Sequence, residues 1–198
     1  MPSPDDVVLL KSLRILQIIT SALLLGVIVF TTVVVVLVAN RNNGAAGAAA
    51  GNPPLAGGAP ADKTPIISFV AILMFATQVP LSFVVPGMQT REGLKKIAAE
   101  TWSTPRGSNP AEFKTDAPKL LALRQTTLIT SLAILEGAGF FAGVAYLLEM
   151  RPFVLAVVAV IVLQMLMNFP TEYRVRTWLE TQADRLTLLR QQREVGEV

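Results

Sequence analysis

Four long apolar runs, at Leu13–Ala39, Pro65–Val85, Thr126–Leu148 and Pro152–Phe169, alternate with polar segments of unequal character. A helix needs ~20 mostly apolar residues to cross the hydrocarbon core of a bilayer. Each run is near that length. The pattern predicts an all-α polytopic membrane protein, with four transmembrane helices arranged as two helical hairpins. The expected organisation is a short N-terminus at 1–12 and a first hairpin at 13–87, followed by a connecting loop at 88–119. A second hairpin at 120–170 and a helical tail at 171–198 complete it.

Finer patterns sit inside this frame. The stretch Asn40–Lys63 is rich in Ala, Gly, Asn and Pro with almost no charge, the composition of a flexible external loop. The segment Arg91–Trp102 reads as a short amphipathic helix. Leu94, Ile97, Ala98 and Trp102 fall on one side of it, and Lys95, Lys96 and Glu100 on the other. Such a segment suits a membrane surface. In the tail, Val175, Trp178, Leu179, Gln182, Leu186 and Leu189 recur at helical spacing, which predicts an amphipathic helix over Thr171–Gln192. That stripe has three outlets: the membrane surface, the connecting loop or another subunit. Pro80 in the second run and Pro170 after the fourth predict kinks, because proline removes a helical hydrogen bond and clashes with the carbonyl four residues back. Gln78 is placed to serve a carbonyl freed by Pro80.

Charge sets the topology. The chain has 198 residues and a net charge of +3. With alternate crossings, every Lys and Arg except Arg41, Lys63 and Arg151 falls on the side of the N-terminus, the middle loop and the tail. The positive-inside rule makes that side cytoplasmic, which predicts a multi-pass protein of the cell membrane with both termini inside. Basic residues beside apolar runs read as topological anchors rather than as a nucleic-acid surface. The first run exceeds the ~7–15 residues of a signal-peptide core, so a retained signal-anchor helix is expected.

Composition removes much chemistry. There is no Cys and no His. Thiol nucleophiles, His-based triads and Cys/His zinc sites are therefore excluded. No paired carboxylates or other catalytic set lies within a run, so the chain is not expected to be an enzyme, and no cofactor or metal is expected. The partners implied are the lipid bilayer and either further copies of the chain or other membrane subunits.

Two internal matches suggest a repeat. Leu13-Arg14-Ile15-Leu16-Gln17-Ile18-Ile19-Thr20-Ser21 aligns without a gap on Leu123-Arg124-Gln125-Thr126-Thr127-Leu128-Ile129-Thr130-Ser131. Gln78-Val79-Pro80 aligns on Asn168-Phe169-Pro170. Together they predict two parallel hairpins, each with a proline-interrupted second helix.

One acidic residue lies well inside a run. Glu136 shares a helix face with Gly139, Gly143 and Tyr146, and the small-residue spacings Ala133-x-x-x-Gly137 and Gly139-x-x-x-Gly143 permit close helix approach. A charge at that depth costs at least ~2.5–3.5 kcal/mol. Three outcomes are open. The acid is held protonated by desolvation, it hydrogen-bonds a polar partner such as Gln78, Asn168, Gln164 or Gln17, or it lines a wet path and exchanges protons or cations.

The segment Glu136-Gly137-Ala138-Gly139-Phe140-Phe141-Ala142-Gly143-Val144-Ala145 resembles the ion-binding helix of the rotary ATP synthase proteolipid, subunit c. A duplicated hairpin with a single acid is also similar to the larger vacuolar-type proteolipids. The resemblance implies an ion-binding role for Glu136. In that family the acid stands on the second helix of its hairpin, and here it stands on the first. Two functions follow as expectations: a non-enzymatic helix-packing subunit or scaffold of a membrane assembly, or a proton- or cation-translocating protein that uses Glu136.

Overall fold

The structure is a computed structural model and describes residues 4–49, 66–103, 113 and 115–196. Among them the chain forms five α-helices and no strand: α1 (Pro4–Ala49), α2 (Ile66–Ala98), α3 (Asp116–Glu149), α4 (Phe153–Met167) and α5 (Glu172–Gly196). Helices α1, α2 and α3 are each long and apolar enough to cross a membrane; α4 reaches that criterion only when counted with α5 as one broken span. At 1.5 Å per residue, α3 is about 50 Å long and α4 about 22 Å, against ~30 Å of hydrocarbon.

Several helices outrun their expected limits. Helix α1 continues into the segment expected as a flexible loop, through Ala49. The alanines at 45, 46, 48 and 49 carry the highest helix propensity and outweigh Gly44 and Gly47. The rest of that segment lies outside the described residues. The amphipathic segment expected at Arg91–Trp102 is not a separate helix. Its residues 91–98 are the last part of α2, which runs without a break through Pro80 and Pro86 to Ala98, and residues 99–102 lie beyond the helix.

The second proline-interrupted element differs from the first. Helix α2 persists through Pro80, whereas α4 stops at Met167 and a new helix starts at Glu172. Thr171 explains the restart, because its Oγ1 accepts from the Arg174 N–H at 3.4 Å, an N-cap. The matched Arg14 and Arg124 also differ in setting, Arg14 being exposed and Arg124 half-buried.

Two helices end in left-handed residues other than glycine. Glu100 has φ 58° and Met150 φ 53°. After α2, the Thr101 N–H donates to the Lys96 carbonyl at 3.0 Å and the Glu100 N–H to that of Ile97 at 3.1 Å, the Schellman pattern. After α3, the Met150 N–H donates to the Tyr146 carbonyl at 2.8 Å.

The helices contribute to two compact units. The first comprises Met1–Ala22, Leu81–Ala133 and Asn168–Val198. Its core joins Leu94 and Ile97 of α2, Leu120 and Leu123 of α3 and Leu186 of α5, with Trp102 and Trp178 packed against them. A neighbouring cluster joins Leu9 and Leu13 of α1 to Leu121 and Val175. The expected stripe of α5 is this packed face: Val175, Gln182 and Leu186 are buried, and the partners are the end of α2, the start of α3 and the first turns of α1. Asp116 accepts two hydrogen bonds from Arg190, at 2.7 and 3.0 Å. That pairing holds the Asp116 carboxyl below its usual range, while partial burial opposes it more weakly.

The second unit comprises Leu23–Pro80 and Ile134–Met167. Helix α4 buries Val154, Val158, Ile161 and Met165, a stripe at helical spacing. At the start of α2, the Glu149 carboxylate accepts from the N–H groups of Ile67 at 2.7 Å and Ser68 at 2.9 Å. An acid from the last residue of α3 thereby satisfies two of the amides that every helix start leaves without a partner.

Candidate functional site

Helix α3 is the most enclosed of the long helices. Half of its most apolar window is buried, against 17% for the corresponding windows of α1 and α2. The site around Glu136 is built on this helix within the second unit. Leu135, Ala138, Ala142 and Ala145 are buried, and a face of small residues lets α1 approach closely. A methyl group at Gly143 would stand 2.6 Å from the Phe30 ring of α1, and one at Gly139 would stand 3.1 Å from Val27. Phe30 meets Phe140 edge to face, with ring centroids 5.0 Å apart, a favoured aromatic arrangement.

Glu136 lies on this packed face. A methyl group at Gly26 of α1 would stand 3.5 Å from the Glu136 Oε1, so the carboxylate rests against the bare backbone of a glycine. Glu136 is half-buried and has no hydrogen bond or ion pair among the described residues. Gln78 of α2 comes close to the residue that follows Glu136: its Oε1 lies 3.9 Å from where a methyl on Gly137 would be. That oxygen is buried and has no hydrogen-bond partner among the described residues.

The structure thus brings Glu136, Gly139 and Gly143 onto one interface with α1, and Gln78 of α2 against Gly137. Tyr146 is half-buried nearly three turns beyond Glu136 along α3, and Ala133 is exposed. The remaining residues are elsewhere. Asn168 and the buried Pro170 occupy the break between α4 and α5, and Gln17 donates to the Pro170 carbonyl at 3.2 Å. Gln164 lies on α4.

Three contributors escaped the sequence reading. Gly26 and Phe30 supply the α1 side of the interface. Gly26 is a lone small residue within a Leu/Val/Ile run, and that isolation is the available signal. Glu149 carries no sequence signal for its role, because its partners are far away along the chain.

Chemically, the site offers one carboxylate and one amide in an apolar surround. Among the described residues no group of three acidic side chains is placed to hold a metal ion. The chain matches no family model, no curated protein and no solved structure.

Proposed function

We propose that this chain is a non-enzymatic integral membrane protein, a helix-packing subunit or scaffold whose central helix is α3. The observation that carries the reading is an inverted surface. Large apolar side chains of α1 and α2 point outward, Ile18 at 69%, Phe69 at 65% and Leu73 at 65% exposure. Apolar surface on this scale demands lipid or a partner. Hydroxyls on exposed faces fold back onto their own helix, as Thr32 does to the Ile28 carbonyl at 2.8 Å and Thr77 to that of Leu73 at 3.0 Å. Such bonding leaves a hydroxyl satisfied where no water is at hand.

The topology we favour has four crossings with both termini cytoplasmic, α4 serving as the short last span. The Asp116–Arg190 pair supports it, because it ties α5 to the start of α3. A chain that crosses along α3 returns to that side only by crossing again. Three crossings would also leave Arg174, Arg176, Arg185, Arg190 and Arg193 on the side poor in basic residues, against the positive-inside rule. The chain has no Cys, so single cysteines introduced at Lys11, Lys95, Met150 and Arg193 report topology cleanly. In sealed inverted vesicles, a membrane-impermeant maleimide should label all but the one at Met150. Labelling of position 193 only from the opposite face would refute the fourth crossing, and extraction of the whole protein by alkaline carbonate would refute membrane integration.

A second reading makes Glu136 an ion-exchanging acid, as in the proteolipid helix it resembles. Its lack of a partner at a glycine-lined interface favours this. Glu136→Gln distinguishes the two. A structural acid tolerates the amide, whereas an ion carrier loses proton or cation flux in proteoliposomes while assembly survives.

A further inference from the structure

The first unit contains a groove that the packing of α3 and α5 does not fill. It has a volume of about 320 Å³ and is lined by side chains of both helices, among them Arg124, Tyr173, Arg174, Trp178 and Gln182. None of its lining residues is acidic. The Arg124 guanidinium lies over the Trp178 ring, 5.2 Å from its centroid. This cation–π contact occupies the face of the guanidinium and leaves its in-plane N–H groups to bond elsewhere. The Arg124 Nε is buried and has no hydrogen-bond partner among the described residues. Arg174 is near enough to bear on Arg124 electrostatically, so two positive charges share the groove. Gln182 is only 4% exposed, and its Oε1 likewise has no partner among the described residues.

These features specify a ligand. Two guanidinium groups and an orphaned buried donor call for an anion, and the planar arginine fork suits phosphate. An orphaned buried amide oxygen calls for a donor such as a hydroxyl. The groove's height selects the source. Arg124 stands two residues before the apolar stretch that begins at Thr126, and Tyr173 and Trp178 are the residue types of the membrane–water interface. Lipid phosphates lie at that level.

We propose that this groove binds the headgroup of an anionic phospholipid, with the phosphate held by Arg124 and Arg174 and a headgroup hydroxyl donating to Gln182. The assignment rests on the membrane reading above. It gives α5 a task beyond capping the ends of α2 and α3: the helix closes a lipid site on the cytoplasmic face.

Lipid retention on the purified full chain, read by native mass spectrometry, tests it. Phosphatidylglycerol should be retained over phosphatidylcholine by about fivefold or more per arginine engaged. Phosphatidylmethanol, of equal net charge but without a headgroup donor, should fall between them. Arg124→Gln and Arg174→Gln should each lower the preference about fivefold, and Arg124→Lys should restore part of it. Gln182→Leu should erase the difference between phosphatidylglycerol and phosphatidylmethanol. Arg174 is exposed, so its variant tests the site without threatening the fold, and unchanged helical circular dichroism with a monodisperse elution profile checks the Arg124 variants. A preference absent in the parent, or unchanged in both arginine variants, overturns the proposal. So does glycerol phosphate binding as tightly as the lipid, which would mark a site for soluble phosphate esters. Carbonate extraction of the same samples separates this failure from failure of the membrane reading, since the glycerol phosphate arm reads the groove in either solvent.

Discussion

The two units pack the same long helices by opposite means. In the first, branched and aromatic side chains fill the space between helices: Leu94, Ile97, Leu120, Leu123 and Leu186 with two tryptophans around them. In the second, the contact with α1 is made by removing side chains, so that Gly139 and Gly143 admit Val27 and Phe30. Burial of large apolar groups is favourable where water is the alternative, at ~25 cal/mol per Å². Where the alternative is hydrocarbon that gain vanishes, and close contact between backbones takes its place. On the membrane reading proposed above, helix-packing chemistry follows the solvent each stretch displaces, even along one continuous helix.

The largest expected effect lies in the first unit. Ile97 is fully buried at the centre of its cluster, and Ile97→Ala should cost about 2–5 kcal/mol. Both tryptophans pack against this cluster, so the loss should appear as a red shift in emission and an earlier transition on thermal or denaturant titration. Next is Gly143→Ala. Its new methyl meets the rigid Phe30 ring at 2.6 Å, and overpacking should cost about 1–3 kcal/mol, with no change in tryptophan emission and rescue by Phe30→Ala. Gly26→Ala, whose methyl would stand at ordinary contact distance from Glu136, should be tolerated. Equal costs at Gly143 and Gly26 would break the claim that close approach is local to the α3 glycines.

Smaller effects sharpen the picture at the helix ends. Glu100→Gly relieves a left-handed φ of 58° and should stabilise the first unit by about 1 kcal/mol, seen as a later unfolding transition. Asp116 gives a pH dependence of defined sign. Its carboxyl is held below the usual range by Arg190, so its contribution is complete above the ordinary carboxylate pKa of about 4 and is lost as pH falls through the lower folded value. Over a third of its side chain is exposed, which limits the effect to about 1 kcal/mol or less. Stability of Asp116→Asn should lose that acid-range dependence.

Much of the architecture was legible because hydrophobic runs and helical stripes are local. The apolar stretches of α1, α2 and α3 are where the runs lie, and the stripe of α5 through Val175, Gln182 and Leu186 is its packed face. The limits of the helices were less legible. Residues 40–49 read as a loop by composition and form helix, and the left-handed ends at Glu100 and Met150 lack the glycine that usually marks them. The site was half visible. Glu136, Gly139 and Gly143 stand out within one segment, but the partners Gly26, Phe30 and Gln78 come from other helices, and the pairing of distant segments leaves no trace in spacing. The Arg124–Trp178 contact is hidden for the same reason.

The acid that closes the start of α2 stands 82 residues downstream of Ile67. A ribosome therefore releases α2 long before the group that finishes its first turn exists. Until translation has passed Glu149, those two amides lack this acceptor, and nascent chains arrested short of it should exchange the amide protons of Ile67 and Ser68 faster than the full chain does. Capping of the second helix thus waits on the last residue of the third.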